Sequence, residues 1–141
     1  MRATKENLGY LLAKASQRWN ELLRERFAAR GFGEVRPAFG SVLLPLFEQD
    51  GLRMGEIAAR SRLSKQTMTT LVRATERAGL VTRERDDGDG RAFRILLTSR
   101  GRAFHPVAED VLAELDRLVA TSVSTLDIET TRNVLRGVMT L

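Results

Sequence analysis

The chain has 141 residues and a net charge of +5; 43% of it is apolar, 29% charged and 6% aromatic, the balance of a globular chain able to bury a core. With no cysteine and a single histidine, His105, it excludes disulfides, thiolate metal sites and cysteine-based redox sensing, and no metal or cofactor is expected. No apolar run approaches the ~20 residues needed to span a bilayer, and the polar start Met1–Glu6 is no secretory signal, so a cytoplasmic location without membrane partners is expected.

The charge is unevenly spread. Residues 1–52 carry a net +2, residues 53–102 a net +6 and residues 103–141 a net −3. A basic middle third between weakly charged and acidic flanks favours a polyanionic partner.

From Lys5 to Arg30 the pattern predicts one long helix. Leu8, Leu11, Leu12, Ala15, Trp19, Leu22, Leu23 and Phe27 recur at three- and four-residue steps, and Gly31 and Gly33 end it. Pro37 suits the first turn of a second helix reaching Gln49, with Pro45 inside it as a kink or break, and Asp50-Gly51 is a turn signal. A short helix, Met54 to Ser61, is followed by a tight connection through Arg62 and Leu63. Ser64 then caps a further helix that buries Met68, Leu71 and Val72 and stops at Gly79, with Leu80 as its anchor.

After this helix the pattern changes. Val81 to Arg85 is β-like, Asp86-Asp87-Gly88-Asp89-Gly90 is a turn-rich tip, and Phe93, Ile95 and Leu97 alternate as in a half-buried strand. Together they predict a hairpin. Thr98 caps a long helix that passes Leu118, with Pro106 expected to bend it, and a last helix follows Asp127. No repeat or linker interrupts the chain.

Helix, tight turn, helix and hairpin across residues 54–97 are the order of a winged helix-turn-helix. The fold class is therefore mostly α with a small β-hairpin (α+β). The chain reads as a single domain, 1–141, with a winged core at 36–100 and helical flanks at 1–35 and 101–141.

The helix from Ser64 offers Lys65, Gln66, Thr67, Thr69 and Thr70, then Arg73, with no acid before Glu76. Such polar side chains suit base edges in the major groove of double-stranded DNA, and the helix start suits a phosphate. A solvated helix face would have the same composition; the neighbouring hairpin favours the DNA reading. In that hairpin Arg83, Arg85, Arg91 and Arg94 surround aspartates. One account is that Asp89 grips the fork of Arg91 and holds it extended for a narrow minor groove; a turn that merely favours Asp and Gly is the other.

Several segments carry a resemblance. They are Ile57-Ala58, Leu63-Ser64, Leu71-Val72, Gly79-Leu80-Val81-Thr82-Arg83, Asp89-Gly90-Arg91 and Leu97-Thr98-Ser99-Arg100-Gly101. In this order the chain resembles the MarR family of bacterial transcription regulators over nearly its whole length. The last three fit the pattern G-L/W-V-x-R, D-x-R, L-T-x-x-G. The resemblance implies a homodimer held by the flanking helices, with two winged helices on a short pseudo-palindrome about one DNA turn, ~34 Å, apart. The apolar stripes at residues 8–27 and 104–141 agree with this, although an intramolecular core would use the same residues. It also implies a repressor relieved by a small phenolic or aromatic-acid effector. The candidate pocket residues are Tyr10, Arg18, Trp19, Phe39, Phe47 and His105, each with ordinary packing as the competing reading.

Nothing in the chain supports an enzyme: there are no paired carboxylates in a pocket motif, no phosphate loop and no nucleophile beside a base. Two other readings compete with a sequence-specific regulator. One is a winged helix used for protein–protein assembly, and the other a nonspecific architectural DNA binder.

Overall fold

The computed structural model describes residues 3–141. They form two compact units, the first running through Ala108 and the second spanning Glu109–Leu141.

The first unit opens with α1 (Leu8–Ala29). Its start lies three residues later than the apolar pattern alone suggests, because the Asn7 side chain caps it by accepting from the Gly9 amide at 2.9 Å. Gly31, at φ +87°, ends it: the Gly31 amide donates to Ala28 O and the Phe32 amide to Phe27 O. That reversal buries Phe32, whose ring and that of Phe27 lie 5.2 and 4.8 Å from Phe104.

The helix expected from Pro37 begins as a 3₁₀ turn, Pro37–Phe39, and continues as α2 (Gly40–Glu48). Pro45 does not break it. The carbonyl that Pro45 leaves without an amide is that of Ser41, and the Ser61 hydroxyl donates to it at 2.5 Å. α3 (Met54–Ser61) follows with the bounds the sequence gives. Arg62 then takes a left-handed conformation, φ +55°, which makes the turn tight.

α4 spans Lys65–Arg77 and is capped by Ser64, which accepts from the Thr67 amide at 3.1 Å. Gly79, at φ +82°, closes it with the bonds Gly79 N–H to Glu76 O and Leu80 N–H to Thr75 O. The sheet has one strand more than the expected hairpin. β1 is only Leu52–Arg53 and pairs with β3 (Asp89–Leu97), which also pairs with β2 (Val81–Asp86), giving the antiparallel order β1-β3-β2. The Asp50 carboxylate ties this edge by accepting from the Leu97 amide at 2.9 Å. Val42, Leu43, Leu46, Leu52, Ile57, Met68, Val72, Leu80, Val81 and Ile95 are buried and form the core under the winged elements.

α5 (Ser99–Ala120) runs through Pro106 as one helix and contains the boundary between the units. In the second unit α6 is Thr125–Met139. It starts two residues before Asp127 because Ser124 is the cap, accepting from the Asp127 amide at 3.1 Å. No residue of α6 is buried; Leu126 is 75% and Met139 62% exposed. No helix among the described residues is long and apolar enough to cross a membrane.

Candidate nucleic-acid interface

The start of α4 is exposed at Ser64, Lys65, Gln66, Thr67 and Thr70, half-buried at Thr69, and exposed again at Arg73. Met68 and Val72 anchor the opposite side in the core. Hydrogen bonds sort these side chains. Ser64 and Thr67 are joined, hydroxyl to hydroxyl, at 2.9 Å. Thr69 Oγ1 donates to Lys65 O at 2.8 Å and lies 3.2 Å from Met54 Sδ, while Thr70 Oγ1 donates to Gln66 O at 3.2 Å. Those hydroxyl protons are used inside the protein. Lys65, Gln66 and Arg73 have no side-chain partner among the described residues, so they are the polar groups of the first turns of α4 available to an outside partner.

The wing is sorted the same way. Arg83 pairs with Glu76 at 3.3 Å, and its guanidinium and that of Arg85 lie 5.7 and 5.8 Å from the Phe93 ring. Arg85 also donates to Gly90 O at 3.1 Å, and Arg94 to Gly51 O at 2.9 Å. Arg91 alone of the four wing arginines has no side-chain partner among the described residues.

The proposed grip of Asp89 on the Arg91 fork is corrected by the geometry. Asp89 Oδ1 accepts from the Arg91 backbone amide at 3.0 Å, two residues on, as short turns favour. Asp86 is the aspartate that holds arginines. Its carboxylate, 5% exposed, meets both Nε and an Nη of Arg53 at 2.7 Å and Nε of Arg94 at 3.4 Å. Its other oxygen accepts from the Gly88 amide at 2.8 Å. That amide first, and the Arg53 guanidinium second, hold the Asp86 carboxyl below the usual carboxylate range. Arg53 and Asp86 thus connect β1 to the end of β2. Sequence reasoning missed the pair because a two-residue strand has no readable period.

Of the six candidate pocket residues, Phe47 and His105 are brought into direct contact. Tyr10 is 41% exposed and Arg18 pairs with Glu21 on the surface of α1, where Trp19 is half-buried. Phe47 and His105 stack face to face at 4.1 Å. Phe39 is buried and lines a separate cavity.

Comparison with known proteins bears on this architecture. The MarR family profile matches residues 42–92, from α2 into the wing. The chain is 34% identical over 114 residues to the HTH-type transcriptional repressor Rv2887 of Mycobacterium tuberculosis, covering 79% of this chain and 78% of that one. The chain belongs to the MarR family. It is accordingly a winged-helix transcriptional regulator and not an enzyme. A shorter match, 44% identity over 61 residues, links it to the HTH-type transcriptional regulator TtmR of Methylorubrum extorquens; it takes in 43% of this chain and 31% of TtmR. Among solved structures, the PcaV regulator of Streptomyces coelicolor in complex with its natural ligand superposes with a TM-score of 0.81 at 22% identity, covering 99% of this chain and 97% of PcaV. S. aureus MepR in its DNA complex gives 0.80 at 22%, covering 96% and 98%. These two show that the MarR fold extends over essentially all of the chain.

Proposed function

We propose that this MarR-family chain is a sequence-specific repressor that binds a short pseudo-palindrome as a homodimer. The observation that carries the reading is that Lys65, Gln66 and Arg73 at the start of α4, and Arg91 on the wing, have no internal partner among the described residues, while Ser64, Thr69 and Thr70 beside the first three and the wing's Arg83, Arg85 and Arg94 do. Gln66 reads adenine best and Lys65 or Arg73 guanine, since those are the edges their donors and acceptors match. Arg91 enters the minor groove and adds affinity where that groove is narrow. Ser64, Thr67, Thr69 and Thr70 set the shape of the helix start and supply apolar contact; Arg83, Arg85, Asp89 and Arg94 shape the wing.

Dimerisation falls to segments 1–35 and 101–141, around the winged core at 36–100. Leu8, Leu11, Leu118, Val119, Val134, Leu135 and Met139 are large apolar residues left exposed in one chain, which a second copy would cover. The relative Rv2887 is a repressor by name and MepR has been solved on DNA, which supports repression and duplex binding here. PcaV has been solved in complex with its natural ligand, which supports an effector here, with the Phe47–His105 stack as an aromatic surface for a phenolic or aromatic acid. Action on DNA supports a cytoplasmic location.

Selection of bound duplexes from a random pool, with and without aromatic acids, tests the proposal. One enriched inverted repeat is expected. Uniform recovery of all sequences would make the chain an architectural binder, and recovery of none would leave protein assembly as its role.

A further inference from the structure

Away from the start of α4, a cavity of about 440 Å³ is lined by the last turns of α1, the segment after it and the far end of α4. Its lining is of two kinds. Val35 and Phe39, both 3% exposed, and Ala74 and Ala78 are apolar, whereas Arg24, Arg36 and Arg77 supply three guanidiniums from three separate segments. None of these three side chains has a hydrogen bond or ion pair among the described residues. The one acid in the lining, Glu34, is already engaged: Arg100 Nε donates to it at 2.7 Å, and the same guanidinium donates to Gly31 O and lies 3.8 Å from the Phe32 ring. That bond holds the Glu34 carboxyl below its usual range, so it stays paired with Arg100 at neutral pH.

The cavity therefore has three cations and no counter-ion of its own. A helix C-terminus explains Arg77, since the end of a helix attracts a positive charge. It does not explain Arg24 on α1 or Arg36 in the following segment. Like charges round one hollow repel, and arginine forks match carboxylate and phosphate oxygens in pairs. The volume falls within the ~300–1,000 Å³ typical of small-molecule sites.

We propose that this cavity binds a small organic anion bearing two or more negative charges, a polycarboxylate or a phosphate ester. A single carboxylate would leave most of the positive charge unbalanced. Because Ala74, Arg77 and Ala78 belong to α4, an occupant would brace the far end of that helix against α1. Any consequence for operator affinity rests on the DNA reading above; the binding itself does not.

The test is titration calorimetry on the whole chain without DNA, using citrate and inorganic pyrophosphate, with benzoate and chloride at matched ionic strength. Saturable binding of citrate or pyrophosphate is expected, and whichever is tighter identifies the class. Arg77→Gln and Arg36→Gln should each weaken it about tenfold or more. Arg36→Lys, which keeps the charge but not the fork, should fall between, and Arg117→Gln outside the cavity should titrate as wild type. All three positions are exposed, and a circular dichroism melt establishes that each of the four variants is folded. A response that merely follows ionic strength, benzoate binding as tightly as citrate, or unchanged affinity in the cavity variants would overturn the site. So would wild-type protein that binds no anion while the cavity variants lose DNA affinity, because the arginines would then be phosphate contacts.

Discussion

The Ser61 hydroxyl donates to the Ser41 carbonyl, the one acceptor in α2 that Pro45 deprives of its amide. The last residue of α3 thus repairs a gap in α2 and joins the first two helices of the winged core. Ser61→Ala should cost about 1–3 kcal/mol, the usual penalty for a polar group left unsatisfied away from water. Urea denaturation gives the number. In a Pro45→Ala background the amide returns, and the same serine change should cost clearly less. An equal cost in both backgrounds would show that the hydroxyl is not there on account of the proline.

Gly101 is fixed by space. A Cβ on it would lie 2.2 Å from the Leu80 carbonyl oxygen, a backbone atom that cannot swing away. The first turn of α5 thereby packs on the anchor that follows α4, and Thr98 reinforces the contact by donating to Gly79 O at 2.6 Å. Gly101→Ala should destabilise by roughly 1–3 kcal/mol, the range for overpacking a filled interior, despite the better helix propensity of alanine. A thermal melt at or above the wild-type midpoint would refute this.

Asp86 makes the wing sensitive to acid. Its folded pKa lies below the ordinary carboxylate value of 3.8, so the unfolded chain binds the proton more readily. Its contribution to stability is complete above that ordinary value and is lost as pH falls through the lower, folded one. Comparing thermal midpoints of wild type and Asp86→Asn from about pH 5 to about pH 2.5 should show a gap that closes toward acid. A gap that widens toward acid would reverse the assigned sign.

Much of this organisation is legible in the sequence because it rests on local rules. Ser64, Gly79 and the three-and-four spacing of Met68, Leu71, Val72 and Thr75 announce α4 almost to the residue. Contacts between distant segments leave no such trace. Arg53 and Asp86 are 33 positions apart and belong together only once β1 has added itself to β3. The same holds for Arg24, Arg36 and Arg77, which are ordinary surface arginines until the chain brings them round one cavity. The aspartates of the tip are a similar case, because period and composition cannot tell whether a carboxylate takes a guanidinium or a backbone amide.

That distinction can be tested at Asp89. If Asp89 serves Arg91 by accepting its backbone amide, as the 3.0 Å contact indicates, then Asp89→Asn keeps an acceptor in place and Asp89→Ala does not. Both remove the same negative charge, so electrostatic attraction to the duplex changes equally in the two variants. Operator affinity measured by fluorescence anisotropy should be higher for Asp89→Asn than for Asp89→Ala, by about fivefold or more for one hydrogen bond of ~1 kcal/mol. Arg91→Ala should weaken binding to all sequences, most where the flanking groove is narrow, and lower the salt slope by about one. With Arg91 already removed, the difference between the two Asp89 variants should largely vanish, because the turn then has no side chain to aim. Equal affinities for Asp89→Asn and Asp89→Ala in the presence of Arg91 would mean that the amide bond does not position the arginine.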